Sequence, residues 1–213
     1  MAAILHSWET GAVDDSPSTG DRAIGSGVGR GRLEAISDGI MAVAITLLAL
    51  GIDAPTPAPG QTLLDAFDAQ ALGAIGLFLL SFFLIARFWL IHHRAFRDLP
   101  ALVPMRFVLL NFAFLAAVCL MPFATTTYSR NASDMTALVI YTAVIAGATI
   151  LLSAMFHATR GRTLQRALIP PAIILLAIPV GAVLGAGFGP WVWLLLLLVH
   201  GDRLDRKPVR APR

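Results

Sequence analysis

Long apolar runs recur along this chain at approximately 33–52, 71–92, 105–128, 135–157, 167–186 and 187–200. A run of about 20 apolar residues can cross about 30 Å of hydrocarbon, and repeating it leaves few other ways to fold. Composition agrees: apolar residues make up 57% and charged residues 14% of the 213, against about 45–50% and about 25% in ordinary globular domains. The expected class is all-α, a polytopic membrane protein with six transmembrane helices. The last run is short and follows Gly181, Gly185, Gly187, Gly189 and Pro190. Five spans with one long kinked element is therefore the alternative. Pro170, Pro171 and Pro179 are expected to start or kink the fifth span, since proline has no amide proton to donate.

Charge sets the orientation. Arg22, Arg30 and Arg32 precede the first run, and Arg94, Arg97 and Arg106 flank the second loop. Arg160, Arg162 and Arg166 fill the fourth loop, while Arg203, Arg206, Lys207, Arg210 and Arg213 make the tail. Of the 16 basic residues only Arg87 and Arg130 fall elsewhere, and Asp53, Asp65 and Asp68 occupy the first loop on the opposite side. The positive-inside rule puts both termini in the cytoplasm of a multi-pass protein of the cell membrane. This alternation favours an even number of spans. Nucleic acid is not an expected partner, because the basic residues are scattered over four loops instead of one face. Residues 1–31 read as a disordered cytoplasmic arm, 32–200 as the transmembrane domain and 201–213 as a basic tail. The arm is polar and lacks the apolar run and small-residue cleavage site of a secretory signal.

Motifs of soluble chemistry are missing. The single cysteine, Cys119, lies inside the third run, so neither a disulfide framework nor a cysteine metal site is expected. P-loop, GxSxG, HExxH, CxxC and TVGYG patterns do not occur. Neither a metal nor a cofactor is expected.

The polar residues inside the runs carry the information. Asp38 lies six residues past Arg32, roughly 9 Å into the membrane at about 1.5 Å per residue. A carboxylate at that depth is costly unless paired, which makes it a functional-site candidate. Arg87, Trp89, His92 and His93 lie within two turns of the cytoplasmic end of the second run, and Asn111 lies five residues into the third. Groups at one depth in lipid must satisfy one another. The expectation is a knot in which Asp38 accepts from the Trp89 indole, a histidine and Arg87, while Asn111 bridges to Ser37. Alternatively the histidines and Arg87 snorkel to the headgroups. A catalytic reading fits poorly: Ser37 and Asp38 are adjacent, and adjacent helical residues project about 100° apart.

Opposite Asp38 the same helix is different. With Val43 as origin and about 100° per residue, Gly39, Thr46, Leu47 and Leu50 fall within about 60° of it, whereas Asp38 falls about 140° away. That stripe could face lipid, another subunit or a pore. A lone Thr46 does not choose among them, since a helical threonine commonly bonds back to its own turn.

The segment Arg32-Leu-Glu-Ala-Ile36-Ser37-Asp38-Gly39, followed by Ala-Val-Ala-Ile-Thr-Leu-Leu, resembles the Arg-x-x-x-Phe-Ser-Asp signature of the transmembrane protein 175 family. Ser81-Phe82, Trp89-x-x-His92-His93, Asn111 and Met121-Pro122-Phe123 look like that family's second and third spans. The resemblance covers roughly residues 32–128. It implies a potassium channel without a TVGYG filter, built as a homotetramer with the first span of each subunit lining the pore. It further implies a hydrophobic constriction at Val43, a threonine layer at Thr46 and more lining at Leu47 and Leu50. Arg32, Ser37, Asp38, Trp89, His92, His93 and Asn111 would form the interhelical network. The ligand would be the permeant K⁺ alone, and the partners other copies of the chain and the bilayer. Ile36 replaces the usual phenylalanine, and Val43 is smaller than the residue expected there. A proton-coupled transporter and a non-conducting scaffold are the rival readings.

Overall fold

Asp68 opens the longest helix among the described residues: its carboxylate accepts from the Ala71 amide at 2.8 Å, one of the donors that a helix start leaves without a partner. The computed structural model describes residues 27–160 and 164–193. Most of the expected arm, the basic tail and residues 194–200 of the last run lie outside the described residues. The elements are β1 (Gly27–Gly29), α1 (Arg30–Ala49), α2 (Ala69–Phe96), β2 (Leu102–Pro104), α3 (Met105–Arg130), α4 (Met135–Arg160), α5 (Leu164–Leu175) and α6 (Ala177–Leu184). A 3₁₀ segment, Ala186–Trp193, follows. Gln70–Phe96, Met105–Arg130 and Met135–Thr159 are each long and apolar enough to cross a membrane. The 20 residues of α1 would extend about 30 Å.

Helices α3 and α4 make the most extensive pairing, with α1 and α2 packed beside them. Two short strands tie the start of α1 to the α2–α3 connection. Val28 pairs with Val103 in an antiparallel register, the Arg30 amide donates to the Ala101 carbonyl at 2.9 Å, and Arg30 Nη1 donates to the Leu99 carbonyl at 2.9 Å. Residues 27–31 therefore belong to the folded unit, which corrects the boundary expected for the arm. At the far end Arg130 Nη2 holds both Asp53 oxygens, at 3.1 and 3.2 Å.

The fifth run folds as two short helices instead of one continuous one. Pro179 has no amide to offer the Leu175 carbonyl, and its ring crowds that carbonyl; the helix breaks at Leu176, between α5 and α6. Gly185 then turns the chain at φ 100°, a conformation that side chains with a Cβ resist. The 3₁₀ segment folds back along α6. This reversal needs a bare backbone at Gly189, where a Cβ would lie 2.8 Å from the Ala177 carbonyl oxygen and 2.9 Å from Leu138. Gly189→Ala is expected to cost about 1–3 kcal/mol through overpacking, read as a lower melting temperature of the purified protein in detergent.

Aromatic residues pin the reversal to the bundle. Tyr128 stacks on Tyr141 at 5.4 Å and Trp193 meets Tyr141 edge-on at 4.9 Å. Tyr128 Oη donates to the Ala186 carbonyl at 2.6 Å, and Trp193 Nε1 donates to the Ile174 carbonyl at 3.0 Å. A polar chain lies beside them. Thr125 Oγ1 donates to the Met121 carbonyl at 2.7 Å, so it must accept from Ser81 Oγ at 2.9 Å. Ser81 in turn accepts from Tyr141 Oη at 2.5 Å. The Thr125-Thr126-Thr127 run lies inside a helix that continues to Arg130, with Thr125 buried.

Candidate functional site

Leu33, Ser37, Met41, Ala44 and Leu48 form the buried face of α1, and the polar member of that face begins a directed chain. Ser37 Oγ donates to the Leu33 carbonyl at 2.7 Å. A carbonyl only accepts, so the Ser37 oxygen must receive the Asn111 Nδ2 proton at 3.0 Å. Asn111 Oδ1 then faces His92 Nε2 at 2.7 Å, and as an acceptor it requires the proton to sit on Nε2. Every donor in the chain from α2 through α3 to α1 is fixed in one direction. Ser37, His92 and Asn111 are at most 1% exposed. Phe114 stacks on the His92 ring at 5.3 Å, and Phe96 lies 4.7 Å away.

A second set of contacts joins α1 to α2 nearer the surface. Trp89 Nε1 donates to Asp38 Oδ1 at 2.7 Å. His93 Nδ1 meets Glu34 Oε1 at 3.0 Å, and its ring stacks on Trp89 at 6.0 Å. The expectation of a histidine on Asp38 is corrected: His92 serves Asn111 and His93 serves Glu34. Neighbouring residues on α2 point about 100° apart, and the two histidines reach different partners. Snorkelling fails for His92, which is buried, while the His93 side chain remains 46% exposed. Glu34 was not singled out in the sequence. It sits one turn before Asp38, on the same side of α1, and stepping one turn along that face would have found it.

Arg32 stands apart from the network. It is exposed and lies about 140° around α1 from Ser37 and about 120° from Asp38. Helical geometry therefore removes it from the cluster that its place in the signature suggests. Arg87, half-buried on α2, lies two residues before Trp89.

Among the described residues, none covers the other side of α1. Gly39, Thr46, Val43, Leu47 and Leu50 are all exposed, Val43 at 56% and Leu50 at 79%. Thr46 Oγ1 donates to the Val43 carbonyl at 2.8 Å, so its outward oxygen presents lone pairs only. As for catalysis, the Ser37 hydroxyl is committed as donor and as acceptor, and Asp38 faces a different helix. Among the described residues no cluster of three metal-ligating side chains occurs.

Fold and site together define a helical membrane protein whose first helix is lashed by polar contacts on one side and presents a bare apolar stripe on the other. Residues 32–122 match the family described as the endosomal/lysosomal potassium channel TMEM175. A potassium channel of Streptomyces collinus is 33% identical over 135 residues, which span 61% of this chain and 65% of that relative. A potassium channel of Chamaesiphon minutus is 40% identical over 96 residues, 45% of this chain and 47% of the relative. The matches thus span under two thirds of each of these relatives. Among solved structures, a lysosomal potassium-selective channel TMEM175 homologue from Chamaesiphon minutus aligns with a TM-score of 0.69 and 27% identity. That alignment covers 79% of this chain and 94% of the homologue.

Proposed function

We propose that the protein is a subunit of a modestly potassium-selective cation channel, a homotetramer in which six membrane helices per copy surround a pore lined by α1. It sits in the cell membrane with both termini cytoplasmic, uses no cofactor and takes K⁺ as the permeant ion. One observation carries this reading: the exposed stripe Gly39, Val43, Thr46, Leu47 and Leu50 lies opposite the contacts that fix α1 to α2 and α3. A helix held so firmly from behind presents its free face at a constant angle. Placed around an axis, Val43 closes an apolar neck that gates by dewetting. An ion passing it sheds part of its hydration shell, which costs K⁺ less than Na⁺. Thr46, whose proton is spent on its own helix, offers oxygen lone pairs just beyond the neck as partial compensation.

Purified protein in lipid vesicles is expected to pass K⁺ faster than Na⁺, by a margin smaller than a carbonyl filter gives. Val43→Ala should raise flux of both ions severalfold, and Thr46→Ala should reduce the K⁺ preference. Equal K⁺ and Na⁺ flux, or none, would rule out a selective channel. The broken α5–α6 element favours one rival, since interrupted helices mark many transporters. Saturable, gradient-coupled flux would support that rival, and flux linear in concentration would support the channel.

A further inference from the structure

We propose that Arg32 makes conduction asymmetric, as a ring of guanidinium groups at the cytoplasmic mouth of the pore. The proposal rests on the pore reading above and adds a residue to it. Two arginines open α1, and they have opposite fates. Arg30 is consumed by the clasp, donating to the Leu99 carbonyl at 2.9 Å. Arg32, two residues on and about 200° around the helix, is exposed and makes no hydrogen bond or ion pair among the described residues.

Its direction is the decisive point. Eleven residues separate Arg32 from Val43, which returns it to within about 20° of the same stripe and about 16 Å nearer the start of the helix. The acids of α1 do not offset it. Glu34 is engaged with His93 and Asp38 with Trp89, both on the α2 side. The other mouth carries the opposite sign. Beyond the end of α1 lie Asp53, Asp65 and Asp68, of which Asp53 is paired with Arg130. Thr62 donates to Asp65 through its hydroxyl and its amide, at 2.7 and 2.9 Å, which holds that carboxyl below its usual range. A pore with an acidic outer mouth and a basic inner ring concentrates cations at one entrance and depletes them at the other. Ions entering from the cytoplasmic side meet the depleted end.

Screening provides the test. The Debye length is about 30 Å at 0.01 M salt and about 3 Å at 1 M, so the ring acts at the first concentration and is silent at the second. Single channels of the full-length protein, recorded in bilayers of zwitterionic lipid, report each molecule's asymmetry whichever way it inserts. In symmetric K⁺ at about 0.01 M, the wild type is expected to pass severalfold more current in one direction than in the other. Arg32→Gln should raise the smaller current and remove most of that difference, while Arg32→Lys should keep it, because charge and not shape is at work. At about 1 M the three should coincide. If Arg32→Gln matches the wild type at low salt while Val43→Ala changes conductance, the inner ring is wrong and the pore reading stands. If neither substitution alters the current, or no current flows, both fall together. Arg32 touches nothing in the buried network, so its replacement should leave the melting temperature unchanged.

Discussion

Asn111→Ala should lower the stability of the purified protein by about 2–4 kcal/mol, seen as a depressed melting temperature in detergent and a loss of ion flux. The amide is the middle of a three-member chain and is fully buried. Removing it strands the His92 Nε2 proton and a lone pair of Ser37 at once, and each orphaned buried group costs about 1–3 kcal/mol. Hydrogen bonds between membrane helices measure less, about 0.6 kcal/mol on average, because the unfolded chain in lipid also finds partners. The larger figure applies here because the folded state keeps two polar groups that nothing else reaches. Asp38→Asn is the informative contrast. Trp89 still finds an oxygen at the same place, so the expected loss is about 1 kcal/mol or less. Equal effects from the two substitutions would show that depth of burial does not rank these contacts.

Trp193→Ala is expected to be the most damaging single change in the described chain, at about 3–5 kcal/mol. The indole is 0% exposed, packs edge-on against Tyr141 and donates to the Ile174 carbonyl. That carbonyl lies in the last turn of α5, where the break before α6 removes its usual helical donor. Trp193→Phe keeps most of the ring contact and loses only the donor, so about 1–2 kcal/mol is expected. Thermal unfolding followed by tryptophan fluorescence or circular dichroism separates the two. A Phe variant as unstable as the Ala variant would put the hydrogen bond above packing.

Much of this architecture was legible because lipid leaves so few alternatives. The runs at 71–92, 105–128 and 135–157 became α2, α3 and α4 because each is long, uniformly apolar and bounded by charge. Depth counting brought Ser37 to Asn111 and Asp38 to Trp89, since groups at equal depth in hydrocarbon have only one another. Depth does not say which of two adjacent histidines meets which helix, and that choice depends on the rotation of α2. Ser81, Thr125 and Tyr141 went unlinked because a hydroxyl in an apolar helix satisfies itself as easily as a neighbour. The strands Gly27–Gly29 and Leu102–Pro104 are too short for any periodicity. The Gly/Pro-rich stretch from 179 to 190 suits a kink, a turn or a start equally well, and only Leu138 packing against Gly189 distinguishes them.

The lashings on Ser37 and Asp38 and the bare stripe from Val43 to Leu50 share one unbroken helix, so their relative angle is set by counting residues. Deleting or inserting a single residue between positions 38 and 43 would swing the stripe by about 100° while leaving every side chain's identity intact. Sequence length in that interval is therefore as constrained as chemistry. The connection from 52 to 68 carries no such helical register, its ends being held by Asp53 on Arg130 and by Asp68 at the start of α2.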